Sequence, residues 1–127
     1  MRIHFTAGAG YRFPVARAAA MIWFLLVVQL LPAQTLAKND DAKFNADYYL
    51  MRGDFGKALD LYLGILKSEP ENADIKHRIG ICYLNSEDRK QLAVPYLEEA
   101  VQHVSVKYDD KSFHEINAPV EAYFLLG

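Results

Sequence analysis

Three histidines, one cysteine and acidic pairs such as Glu98-Glu99 and Asp109-Asp110 are the residues beyond position 37 whose types could do chemistry. A helical zinc site needs two histidines four positions apart, so that both rings leave the same face. His77, His103 and His114 make no such pair. His114-Glu115 starts the pattern of a metallopeptidase helix, but the second histidine four residues on is missing. Cys82 is the single cysteine, which excludes an intrachain disulfide and a cysteine-rich zinc site. Ile81 and Tyr83 flank it and offer nothing to activate a thiol, so it reads as a small buried helix residue. Glu98-Glu99 and Asp109-Asp110 read as solvated surface. No glycine-rich phosphate loop follows a strand, and neither Asn85-Ser86-Glu87 nor Asn117-Ala118-Pro119 is a glycosylation acceptor. The residues therefore predict no catalytic group, no metal and no cofactor: a protein that is not an enzyme.

Composition points the same way. Arg2, Arg12 and Arg17 are the charged residues of positions 1–37, which contain no acid. The rest of the chain holds 11 basic against 16 acidic residues, a balance near −5. An acidic chain without a basic cluster is a poor match for nucleic acid. Ala18 to Leu31 is an apolar run broken only by Gln29, ended by Pro32 and followed by Thr35-Leu36-Ala37. Basic region, short apolar core and small-residue exit predict a signal peptide over residues 1–37, cut after Ala37 or, as a weaker option, after Ala33. The alternative is an uncleaved helical anchor. The apolar core falls short of the roughly 20 residues a spanning helix needs, which favours cleavage.

What remains must position its residues with helices. Lys38 to Asp41 reads as a frayed lead-in, and Ala42, Ala46, Tyr49 and Leu50 recur at helical spacing up to Arg52. Gly53 supplies a left-handed stop and Asp54 a cap for the next helix. That second helix, to about Ser68, carries Ala58, Tyr62 and Ile65 on one face, widened by Leu59, Leu61 and Leu66. Pro70 prevents its continuation. Asn72 caps a third helix over Ala73–Leu84 with Ile75, Ile79, Cys82 and Tyr83 inward, and Gly80 placed for close approach of a neighbour. A fourth begins near Leu92, with Pro95 early in it and an apolar face of Leu92, Ala93, Tyr96, Leu97, Ala100, Val101 and Val104. Ser105–Asn117 is a long connection pinned by Tyr108 and Phe113. Asn117-Ala118-Pro119 reads as a fifth helix start, with Pro119 in its first turn.

The helices repeat. Tyr49 and Tyr83 are 34 positions apart, as are Ala46 and Gly80. Ala58-x3-Tyr62 answers to Ala93-x3-Leu97, with Gly53-Asp54-Phe55 and Pro70 marking the first copy and Ala100 continuing the second. This resembles the tetratricopeptide repeat. The second copy has an extra residue between Tyr83 and Ala93 and has Ser105 near the place of the closing proline. The runs CYLNSEDRK, YLEEAV, SFHEINAP and EAYFLLG are further similar to the amino-terminal repeat region of bacterial envelope proteins that pair such repeats with a β-propeller and an OmpA-like peptidoglycan-binding domain.

The resemblance implies an all-α fold of antiparallel helix-turn-helix repeats, a tetratricopeptide-like α-solenoid preceded by the apolar signal helix. Its parts are two repeats over 38–106 (about 40–72 and 73–106), a linker over 107–117 and the start of an incomplete third repeat over 118–127. Neither the propeller nor the OmpA-like domain is in these residues, so a fragment of a longer protein is expected. The implied function is an exported scaffold of the periplasm or outer membrane that binds protein partners, not nucleic acid. It would bind through a groove lined by Lys43, Asp47, Leu50, His77, Ile81 and Leu84, or through its carboxyl-terminal apolar edge. The carboxylate clamp of some members is not expected here, because Asp47 stands where they have asparagine. The alternative is a membrane-anchored structural segment that keeps its amino-terminal helix.

Overall fold

The structure, a computed structural model, describes residue 22 and residues 38–127. The expected signal segment, its cleavage positions and the anchor alternative lie outside the described residues. Residues 38–127 are mostly helical: α1 (residues 38–51), α2 (Phe55–Ser68), α3 (Ala73–Leu84), α4 (Ala93–Ala100) and a short α5 (Ala122–Leu125). Single 3₁₀ turns flank α4 at Lys90–Leu92 and Val101–His103. Among the described residues no helix is long and apolar enough to cross a membrane.

Local chemistry sets the boundaries. Gly53 lies at φ +76°, the conformation that ends a helix without a Cβ penalty. The Gly53 N–H donates to the Leu50 carbonyl and the Asp54 N–H to that of Tyr49, so the last turn of α1 closes on itself. Asp54 then caps α2 by accepting from the Lys57 N–H at 3.3 Å. Asn72 does the same for α3, accepting from Ile75 N–H at 3.1 Å. Lys38–Asp41, expected to fray, is helical. Asn39 ties it down by donating to Ser68 Oγ at 2.8 Å and Glu69 Oε1 at 2.6 Å, at the end of α2.

α3 is the central element and packs against both α2 and α4. One apolar cluster joins Ala46 of α1, Ala58, Leu59, Tyr62 and Ile65 of α2, Ile75, Ile79, Cys82 and Tyr83 of α3, and Ala93 and Leu97 of α4. Leu61 and Leu66 widen it from the side, as the α2 stripe predicts. Gly80 lets α4 approach closely: a Cβ built there would sit 2.6 Å from Leu97 Cγ. Leu92, expected on the inner face of α4, is 48% exposed, because it falls in the 3₁₀ turn before the helix rather than in its period. Pro95 is in the first turn of α4, where its missing N–H breaks no helical bond.

The chain after α4 departs most from expectation. Val104 is not on a helix face: Val104–Ser105 is a two-residue strand, β1, paired in parallel with β2, Ala118–Pro119. Ala118 and Pro119 therefore do not start a helix. The residue before a proline is pushed toward extended backbone, and pairing with β1 fixes it there. The pairing delivers Ala118 and Ala122 onto Ala73 and Ala100, a second buried cluster made of four alanines. The Ile116 carbonyl accepts from the Ala73 N–H at 2.8 Å and so satisfies a first-turn donor of α3.

Candidate functional site

α1 and α3 each present two opposite charges one helical turn apart: Lys43 and Asp47 on α1, Asp74 and Arg78 on α3. The two sets interlock. Lys43 Nζ lies 2.7 Å from Asp74 Oδ2. Arg78 Nε donates to both Asp74 oxygens at 3.0 and 3.1 Å, and Arg78 Nη1 donates to Asp47 Oδ1 at 3.0 Å. The Asp74 side chain is fully buried and that of Lys43 is 4% exposed. Charges taken so far from water survive only when paired and hydrogen-bonded, and here two cations face two anions. Burial works against the charge on Arg78, yet the Asp74 and Asp47 carboxylates outweigh it and hold the guanidinium above its ordinary pKa.

Two tyrosines complete the network. The Tyr62 hydroxyl, from the core of α2, donates to Asp47 Oδ1. The Tyr108 hydroxyl donates to Asp74 Oδ1 at 2.6 Å and accepts from Arg78 Nη2 at 3.1 Å. Burial and then the hydrogen bond to aspartate raise both phenols above their usual pKa. Tyr108 belongs to the connection between β1 and β2, which crosses the α1–α3 face. Lys43 Nζ donates to the Ser112 carbonyl at 3.0 Å, and Arg78 Nη2 reaches the Asp110 carbonyl at 3.5 Å. Phe113, expected to pin the same connection, is 44% exposed.

The six residues expected to line a groove are thus distributed. Lys43 and Asp47 are brought together by Asp74 and Arg78, with Lys43 beneath the connection. Leu50 and Leu84 pack against the main core and Ile81 is half-buried. His77 is buried, and its Nδ1 has no hydrogen-bond partner. Burial pushes the imidazole down to about 4, against the pull of Asp74 and Glu121 and with a smaller push from Arg78. Asp74 and Arg78 were not expected from sequence, whereas Tyr108, expected to pin the connection, does so through them. The available signal was the mirrored order of charge: Lys43 precedes Asp74, and Asp47 precedes Arg78, by the same 31 positions.

Beside the network, Phe44, Tyr48, Met51 and Phe113, together with the expected groove residues Asp47 and Leu50, line an open depression of about 500 Å³. Phe44 and Met51 are 61% and 81% exposed. A second apolar surface lies at the carboxyl end, where Val120, Tyr123, Phe124 and Leu126 are exposed. Burial pushes the Cys82 thiol up to about 11, away from the thiolate form a nucleophile needs. Among the described residues no three His, Cys, Asp or Glu side chains are grouped to hold a metal ion. The arrangement offers buried charges that hold a chain segment and apolar surface beside them. No protein-family model matches the chain, and no solved structure matches it.

Proposed function

We propose that this chain is a non-catalytic protein-interaction scaffold of a bacterial cell envelope, built from tetratricopeptide-like repeats and exported to the periplasm or outer membrane. It meets its protein partner through the α1–α3 face or through the apolar carboxyl-terminal edge. The observation that carries the repeat reading is the matched burial of three of its four marker pairs, the fourth being uneven, with Tyr83 buried and Tyr49 half-buried. Ala46 and Gly80 are both buried, Ala58 and Ala93 are both at 0% exposure, and Tyr62 and Leu97 are at 0% and 1%. Equivalent positions of two stacked units are expected to share their surroundings in this way.

The test is capture of partners from envelope extracts with crosslinking, comparing the natural chain with Phe44→Arg/Met51→Arg and with Phe124→Arg. All three substitutions fall on exposed residues, so helicity is expected to persist. Loss of a defined partner with one of the two variants supports the reading and names the surface. Equal capture by all three chains speaks against both surfaces. Sequencing the mature amino terminus tests export separately: Lys38 marks cleavage, Met1 a retained anchor.

A further inference from the structure

We infer that the α1–α3 face is a segment-binding surface that the chain fills in cis with residues 107–114, and that this segment is an exchangeable occupant. The inference rests on the interaction-scaffold reading and adds how the face is regulated.

The polar contacts of the segment are few in kind. Beyond Tyr108, the one polar side-chain contact to a helix among the described residues is that of the exposed His114, whose Nδ1 lies 3.9 Å from Asp40 Oδ1. Tyr108 contributes its hydroxyl to Asp74 and Arg78, while Asp110 and Ser112 contribute only main-chain carbonyls, to Arg78 and Lys43. None of these carbonyl contacts depends on side-chain identity, so another peptide can supply them. Apolar adhesion of the segment comes mainly from the half-buried Tyr108 ring and part of Phe113, which is 44% exposed, while Val106 and Ile116 are 90% and 60% exposed.

The network beneath does not need the segment for neutrality. Lys43, Arg78, Asp47 and Asp74 pair among themselves, so departure of the segment strands no charge. Water can replace a hydroxyl and two carbonyls at a surface that opens. The ends stay fixed on either side: β1 pairs with β2, and Ile116 accepts from the first turn of α3. The segment is therefore a strap with two anchored ends and a replaceable middle. The depression lined by Phe44, Tyr48 and Met51 lies next to it, a place where an incoming chain can gain apolar contact before the strap lets go.

The test uses the full chain with residues 107–114 replaced by glycine and serine, and a labelled peptide of residues 106–115 as the probe. Fluorescence anisotropy is expected to show saturable binding to the replaced chain. Binding to the natural chain should be at least about tenfold weaker, and so should binding of the Tyr108→Phe peptide to the replaced chain. A replaced chain that keeps its helicity and does not bind the peptide overturns the inference. So does one that loses its helicity, because the segment is then part of the core rather than a ligand. Trypsin cleavage of the full-length Tyr108→Phe chain gives an independent readout. Cutting at Lys107 and Lys111 should accelerate relative to cutting at Arg89 and Lys90, and unchanged rates overturn the inference. No envelope partner enters either assay, so failure here leaves the carboxyl-terminal edge of the scaffold reading standing.

Discussion

Gly80 on α3 and Leu97 on α4 meet so closely that the smallest side chain at position 80 would lie 2.6 Å from Leu97 Cγ. Both the Cδ2 methyl and the branch point of a buried leucine fall inside contact distance, so rotating the methyl alone makes no room and the side chain or a helix must shift. Gly80→Ala gains about 1 kcal/mol of helix propensity and meets an overpacking cost of about 1–3 kcal/mol. We expect net destabilisation of up to about 2 kcal/mol. Leu97→Ala alone should cost about 2–5 kcal/mol. The double variant should be milder than the sum by about 1 kcal/mol, because each change relieves the other. Urea titration of the four chains measures this, and strict additivity would contradict the crossing.

Asp74 is the residue on which Lys43, Arg78 and Tyr108 all converge, and its side chain is fully buried. Asp74→Ala leaves two buried cations facing one remaining carboxylate, that of Asp47. The expected loss is about 3–5 kcal/mol, the range for breaking a buried ion pair from one side. Lys43→Met leaves Asp74 still paired with Arg78 and bonded to Tyr108, and should cost less. A shift of the urea midpoint at constant slope separates lost stability from a changed denatured state. Equal effects of the two variants would mean that Asp74 is not the hub.

The features legible in the sequence are those whose causes are local. Gly53, Asp54 and Asn72 announce their turns because a cap is decided by the few residues around it. Gly80 was legible because glycine inside a helix has few other uses. The β1–β2 pair was not: two residues on each strand carry no period, and Ala118-Pro119 fits a helix start equally well until Val104 lies beside it. The charge network falls between these cases. Each i,i+4 pair is visible on its own helix, but that Lys43 finds Asp74 rather than solvent depends on how α1 and α3 lie together. The same placement put Lys43 under the connection, while Asp47 and Leu50 line the open depression beside it.

His77 predicts an acid-side loss of stability. Burial holds its folded pKa at about 4, below the ordinary value of 6.5, so the folded chain binds fewer protons than the unfolded one between these values. Stability from this residue is complete above pH 6.5 and declines as pH falls through 6.5 toward 4, with a limit of about 3 kcal/mol. Asp74 and Glu121 favour the proton and Arg78 opposes it, without overcoming burial. The measurement is the difference in unfolding free energy between pH 7.5 and 5 for the natural chain and His77→Gln. The natural chain should lose more, and parallel pH profiles would remove His77 as the cause.

Neighbouring residues of α5 should respond in opposite ways. Phe124 is 80% exposed, while Ala122 is fully buried against Ala73, Ala100 and Ala118. Removing the ring in Phe124→Ser gives up little burial, so stability should move by no more than about 0.5 kcal/mol. Ala122→Leu forces extra methylenes into a cluster sized for four methyl groups and should cost about 1–3 kcal/mol. If the carboxyl-terminal edge is a docking surface, Phe124→Ser should also weaken partner capture at unchanged melting temperature. Paired melting and capture measurements separate the two: a large melting shift for Phe124→Ser would show that its ring packs inside the fold.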